Sequence, residues 1–186
     1  ILLFDNVVII SQDSNVSNLF LLLKLSNIDI EIINSNFTSV SQPLQIQTFD
    51  ETSSFSPILF SIKILVSIFT NCMGIKGGIL HIHIPETLGY FIKTEIIIMN
   101  SKFYRNNANV GGVLFIFSEH NAIENTFGSI KFSISIVNCH FKGNVAKEHT
   151  AVIFVLNIVE FNIIHSNFLD NKVLNPKSMN GTIISS

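Results

Sequence analysis

The stretch I-I-I-M-N-S-K-F-Y-R-N-N-A-N-V-G-G-V-L-F-I-F, Ile96 to Phe117, decides the fold. It reads as a strand, a corner, a short polar turn, a glycine pair and a second strand. An imperfect copy, I-S-I-V-N-C-H-F-K-G-N-V-A-K-E-H-T-A-V-I-F-V, runs from Ile134 to Val155, and another runs from Ile62 to Ile82. Two weaker copies end at Phe37 and Phe168. Aligned on the central aromatic, Phe37, Phe69, Phe103, Phe141 and Phe168 form one column, spaced 32, 34, 38 and 27 residues apart. Fixed landmarks with variable spacers mark stacked repeats that carry insertions on one side. Each unit holds two short β-rich segments and no convincing helical period. The pattern predicts an all-β chain, a parallel β-helix of about five irregular coils with long loop insertions. Residues 1–186 form a single domain in this reading.

Within each unit, alternation assigns the inward positions. Ile30 and Ile32, Ile62 and Ile64, Ile96 and Ile98, Ile134 and Ile136, then Phe161 and Ile163 fall in register. β-branched side chains suit a buried pleated surface. A corner follows, at Asn34, Asn100 and Asn138, with Val66 and His165 in the other units. Asn tolerates the left-handed backbone that a tight corner demands. Stacked asparagines there are also expected to hydrogen-bond along the stack, as amide ladders do. Three residues past the aromatic stand Asn106, Asn144 and Asn171, in a polar turn.

Gly77-Gly78 and Gly111-Gly112 open the second strand, with His149-Thr150 in their place in the next unit and a single Gly181 in the last. Neither pair precedes the Lys-Ser/Thr or helix start of a phosphate loop, so they read as corner glycines. If Leu80, Leu114 and Val152 face inward, then His81, Phe115 and Ile153 face out, as do His83, Phe117 and Val155. That face is unusually apolar for a solvated sheet. It marks either an interface or a surface covered by the spacers Pro43 to Pro57, Pro85 to Thr94 and Ser118 to Ser129.

Composition narrows the function classes. Of 186 residues, 47% are hydrophobic and only 13% charged, against about 25% charged in an average globular protein. This excludes a disordered chain, and the net charge of -2 offers no electrostatic case for nucleic acid. No apolar run is long enough for a membrane-spanning helix. The chain opens on Ile1, which reads as a mature product or a piece of a longer protein.

Candidate chemistry is thin. Cys72 and Cys139 occupy different repeat positions two units apart, too far to bridge, and read as free core or corner residues. His81 and His83 share a strand face and could chelate a metal with Glu86, but a half-exposed histidine pair is the commoner meaning of H-x-H. The expectation is no metal and no cofactor. Carboxylates are scattered, and Asp50-Glu51, the only adjacent pair, lies in a spacer. No two fall on aligned neighbouring strand positions, as paired glycosidase carboxyls would need. Arg105 stands without a basic cluster around it, and no G-x-S-x-G elbow exists. N-glycosylation sequons occur at Asn15, Asn36 and Asn180, with Asn36 expected to point outward beside the inward Phe37.

The motifs F-Y-R-N (Phe103 to Asn106), F-K-G-N (Phe141 to Asn144) and F-L-D-N (Phe168 to Asn171), with G-G-V-L (Gly111 to Leu114) and G-G-I-L (Gly77 to Leu80), resemble a known pair. It is the F-x-x-N and G-G-A-I repeat of the chlamydial polymorphic outer membrane proteins. Pectin-lyase-like β-helix surface proteins of protists are similar. The resemblance covers Ile62 to Asn171. It implies a right-handed parallel β-helix, extracellular or surface-displayed, adhesive or structural and without catalysis. The Phe69 unit departs from it, with Cys72 in place of the Asn, and so does His149-Thr150, which lacks the glycines. The function expected is a non-enzymatic structural module that packs through its apolar outer face. Its partners are other protein chains of an assembly, further coils of the same chain, or glycans. The alternative is a carbohydrate-active β-helix, either a polysaccharide lyase or hydrolase or a carbohydrate-binding module.

Overall fold

The computed structural model describes residues 2–5, 8–10, 27–41, 44–47, 58–84, 92–118, 131–156 and 160–175. The described chain is all-β, and every strand pairing in it is parallel. Four sheets share the strands in rotation. The first holds Leu2–Asp5, Asn27–Ile33, Ile58–Leu65, Ile92–Met99, Lys131–Val137 and Glu160–Ile164. The second holds Val8–Ile10, Asn36–Thr38, Ile68–Thr70, Lys102–Tyr104, His140–Lys142 and Asn167–Leu169. Asn107–Val110, Val145–His149 and Lys172–Val173 make the third, and Leu44–Gln47, Leu80–Ile84, Leu114–Ser118 and Ile153–Leu156 the fourth. In every sheet, neighbours follow sequence order, so each repeat lies against the one before it. The five phenylalanine repeats carry three or four short described strands each, rather than the two expected from the sequence. The first two sheets also have six members rather than five, because Leu2–Asp5 and Val8–Ile10 pair with the Phe37 repeat.

The core is the interior between these sheets. Ile30 and Ile32, with their counterparts in the next three repeats, are buried from the first sheet. Leu80, Ile82, Leu114, Ile116 and Ile153 close the interior from the fourth. The second sheet contributes the phenylalanine column. Ring centroids lie 4.8 Å apart for Phe37 and Phe69, 5.5 Å for Phe69 and Phe103, 4.7 Å for Phe103 and Phe141, and 4.7 Å for Phe141 and Phe168. The planes differ by at most 7°. The spacing is that of adjacent parallel strands, ~4.8 Å. Identical in-register residues are therefore forced into face-to-face stacks.

Three columns of left-handed backbone turn the chain. Asn34, Val66, Asn100, Asn138 and His165 form the first, with φ between 49° and 53°. Ser39, Asn71, Arg105, Gly143 and Asp170 form the second, and Gly77, Gly111 and Thr150 the third. Together they account for every positive-φ residue of the described chain. At Gly78 and Gly112 the requirement is space instead. A Cβ on Gly78 would lie 2.3 Å from the Gly112 carbonyl oxygen, and one on Gly112 would lie 2.1 Å from that of Ala151.

The glycine column also corrects the sequence alignment. Ala108 pairs with Ala146 but Val110 pairs with His149, so the later strand carries one extra residue in a bulge. Thr150-Ala151, rather than His149-Thr150, therefore replaces the glycine pair. Ile153 rather than Val152 pairs with Leu114.

Val66 and Thr94 are among the locally unfavourable positions in this frame. Val66 is an exposed β-branched residue at φ 53°, in a region that costs an L-residue roughly 1–2 kcal/mol. Thr94 is buried in register with Phe60 and Phe132, and its hydroxyl has no hydrogen-bond partner. Val66→Asn is expected to stabilise the fold by about 1 kcal/mol, raising Tm by ~2–4 °C for a chain of this size. Thr94→Val is expected to stabilise by a similar amount. Thermal and urea denaturation read both.

Candidate functional site

The polar side chains that sequence motifs singled out divide into an interior set and an outer set. Inside, Asn106, Asn144 and Asn171 are buried and joined in a ladder. The Asn106 Nδ2 donates to Asn144 Oδ1 at 3.0 Å and to the Phe69 carbonyl at 3.2 Å. The Asn144 Nδ2 repeats this, to Asn171 Oδ1 at 2.9 Å and to the Phe103 carbonyl at 3.0 Å. Each Oδ1 also accepts a main-chain N–H from the preceding repeat, from Cys72, Asn106 and Asn144 in turn. Every hydrogen-bonding group of the Asn144 side chain is used. The ladder expected at Asn34, Asn100 and Asn138 does not form there. Those side chains are exposed, and it is their main-chain N–H groups that bond the next repeat.

A second interior ladder escaped the sequence reading. Ser35, Ser67, Ser101, Cys139 and Ser166 directly follow the first corner. Ser67 Oγ accepts the Ser35 N–H at 3.2 Å, Ser101 Oγ accepts that of Ser67 at 3.1 Å, and Ser166 Oγ accepts that of Cys139 at 3.0 Å. The signal was present as N-S, V-S, N-S, N-C and H-S at aligned positions, masked by the abundance of serine elsewhere. The two cysteines occupy one place in each ladder. Both are free and buried. Burial pushes the Cys72 thiol up to about 11 and raises that of Cys139 as well. Neither is a nucleophile in this setting.

The outer set centres on the fourth sheet. Register places Gln45, His81, Phe115 and Phe154 in one column and Gln47, His83, Phe117 and Leu156 in the next. Ile153 and Val155 were expected outside. The bulged residue shifts them inward, Ile153 into the core and Val155 packed against it. Phe154 takes the outer place instead, stacked on Phe115 at 4.8 Å. His81 meets the Phe115 ring edge-on at 5.2 Å, His83 stacks on Phe117 at 5.4 Å, and Lys76 Nζ lies 5.1 Å from the Phe115 centroid. Phe115 is only 6% exposed and Phe154 only 3%, so the middle of this face is covered within the chain. His83 and Phe117 at its margin are half-buried. Burial, with Lys76 and then His83 adding positive charge nearby, pushes the His81 imidazole down to about 4. Its ring is neutral at pH 7.

No group of three or more metal-ligating side chains occurs among the described residues. Glu86, Asp50-Glu51, Gly181, Asn15 and Asn180 lie outside the described residues. Asn36 sits half-buried on the second sheet, with its Oδ1 accepting from Thr38 Oγ1 at 3.3 Å. Asp29, Glu95 and Glu160 share an outer column of the first sheet, separated by Ser61 and Ser133. Within that column carboxylates recur on alternate strands and never on neighbours. Glu31 pairs with Lys63 across adjacent strands. The second sheet differs in sign. Lys102, His140 and Lys142 are exposed on it, with Tyr104 beside them and Arg105 at its corner. No known protein family, curated protein or solved structure matches the chain.

Asn144→Leu removes the acceptor of two buried N–H groups, and each orphaned group costs roughly 1–3 kcal/mol. We expect a loss of about 3 kcal/mol or more in urea denaturation, against about 1 kcal/mol for Asn138→Ala at the exposed corner. Acidification tests His81. Its folded pKa lies below the ordinary 6.5, so the unfolded chain takes up the proton first. The stability from keeping the ring neutral is whole above pH 6.5 and is lost as pH falls towards 4. The loss is on the order of 2 kcal/mol after allowing for partial exposure. In His81→Gln the slope of Tm against pH over that range should flatten.

Proposed function

We propose that the chain is a non-enzymatic structural or adhesive module of an extracellular or surface assembly, wound as a right-handed parallel β-helix. The winding is supported by the rotation of consecutive strands through separate parallel sheets, each in sequence order. The hand follows from the strong preference of parallel crossover connections. Surface placement rests on the likeness of the F-x-x-N and Gly-Gly motifs to those of surface β-helix proteins.

One observation carries the structural role. The polar groups placed inside, the Asn and Ser ladders, are consumed in holding repeat to repeat, while Asp29, Glu95 and Glu160 stand on alternate strands in one outer column of the first sheet. Catalysis of glycoside cleavage needs two carboxyls converging on one bond. Packing against other chains would use the margins of the fourth sheet, where His83 and Phe117 remain half-exposed, rather than the covered Phe115.

The carbohydrate-binding alternative has one specific observation in its favour. Lys102, His140, Lys142 and Arg105 gather round Tyr104 on the second sheet, a cationic face suited to an acidic glycan.

Two measurements separate these readings. An antibody raised against the chain should label intact source cells, whereas labelling only after permeabilisation contradicts a surface role. Incubation with neutral and acidic polysaccharides should release neither reducing ends nor unsaturated products. Turnover that disappears in Arg105→Ala overturns the non-enzymatic reading.

A further inference from the structure

The chain carries 11 lysine and arginine side chains, and five of them share one side of the stack. Lys102 and Lys142 stand on the second sheet, Arg105 at the corner that follows it, and Lys147 and Lys172 on the third sheet. All five are exposed, and none forms an ion pair within the described chain. His140 lies beside Lys102, and Tyr104 beside Lys142. Among the described residues of these two sheets, negative charge comes only from Asp170, on the corner column of Arg105, and from the half-buried Glu148. Asp29, Glu31, Glu95 and Glu160 lie instead on the outer face of the first sheet. The net charge of -2 thus conceals a separation of charge between faces.

The same side holds most of the exposed aliphatic surface. Six large apolar side chains of the described chain are exposed, and Met73, Ile75, Leu169 and Leu174 are four of them. Met73 pairs with Asn107, and the Ile75 carbonyl accepts the Asn109 N–H, so both lie beside the strand Asn107–Val110 of the third sheet. Leu169 pairs with Lys142 on the second sheet, and the Leu174 N–H donates to the Ala146 carbonyl on the third. Met73 has a neighbour on either side, Ser41 and Asn107, yet is 41% exposed, and Ile75 is 70% exposed. The remaining two, Val66 and Ile164, flank the corner between the first and second sheets. A sheet face that met only water would carry polar residues at these places.

We propose that this side of the stack, the outer faces of the second and third sheets with the corner between them, rests on a membrane surface containing anionic lipid. The unpaired cations meet the headgroup phosphates and carboxylates, each strengthening attachment about fivefold when it lies close to the surface. Met73 and Ile75 enter the boundary between headgroups and acyl chains, and the Tyr104 ring suits the headgroup level. Lasting peripheral attachment takes both kinds of contact, a basic patch and buried apolar groups. The aliphatic side chains decide between lipid and an acidic glycan. A glycan would engage the cations and Tyr104 but leave Met73 and Ile75 in water. The assembly reading above requires no membrane contact, and this inference stands on the pattern of charge and aliphatic exposure alone.

Vesicle cosedimentation of the full chain tests this. The chain should sediment with vesicles of equal parts phosphatidylserine and phosphatidylcholine, and not with phosphatidylcholine alone. Raised salt should weaken the binding, because the charge contacts are screened. Lys142→Gln should weaken it about fivefold. Lys93→Gln, the same charge change at an exposed place on the first sheet, should leave it unaltered. Met73→Ser with Ile75→Ser should weaken vesicle binding by about tenfold and leave retention on heparin, a polyanionic glycan, unchanged. All these positions are exposed, so the variants should keep the Tm of the parent. Binding absent from anionic vesicles, or equal on phosphatidylcholine alone, overturns the inference. So do equal losses from Lys93→Gln and Lys142→Gln, or a Met73 and Ile75 variant that binds vesicles as the parent does. Retention on heparin without vesicle binding would give the face to a glycan instead. Vesicle binding and the antibody labelling of cells are separate results, so failure of either leaves the other standing.

Discussion

Parallel in-register pairing sets the condition everything else meets: each side chain lies about one strand spacing, ~4.8 Å, from its own counterpart in the next repeat. A position can be occupied only by a residue that tolerates a copy of itself at that distance. Flat rings do so by stacking, β-branched chains by nesting, and a primary amide by donating forward while it accepts from behind. The interior uses all three, as the phenylalanine column, the isoleucine rows and the asparagine ladder. A charge cannot meet the condition, and none is buried in the described core. The low charged fraction of the sequence follows from the same rule.

The corners obey a complementary constraint. Turning within a few residues while keeping the next strand in register calls for one left-handed residue per corner. Asn, Gly and Asp supply most of them, and Val66, Thr150 and His165 show that the column can impose the conformation on residues that resist it. Because the register is fixed by what lies above and below, local preference is overruled where it conflicts with the stack. The repeat spacings run from 27 to 38 residues, while the phenylalanine rings stay 4.7–5.5 Å apart throughout.

How much of this was legible follows from which signals repeat. The phenylalanine column, the isoleucine pairs and the first corner were readable because large apolar residues and asparagines recur at fixed offsets. The third and fourth sheets were misread by one position after Ala146, since a bulge inserts a residue that no composition signal announces. That single slip moved Ile153 and Val155 to the wrong face and hid Phe154. The ladder asparagines were found but assigned a turn, while ladder bonding was given to Asn34, Asn100 and Asn138. Exposure separates these two sets, and sequence alone does not carry it. The serine ladder was lost in a serine-rich background. Candidate function was less legible still, because its residues lie on outer faces that no repeat rule governs.

Coupling between stacked rings is the measurement to make. In a double-mutant cycle of Phe103→Leu with Phe141→Leu, read by urea denaturation, rings 4.7 Å apart should show a coupling energy of about 0.5–1.5 kcal/mol. Phe37→Leu with Phe141→Leu, separated by two intervening rings, should be additive within about 0.5 kcal/mol. Additivity in the first pair, or equal coupling in both, would contradict a core built by stacking each repeat's phenylalanine on the next.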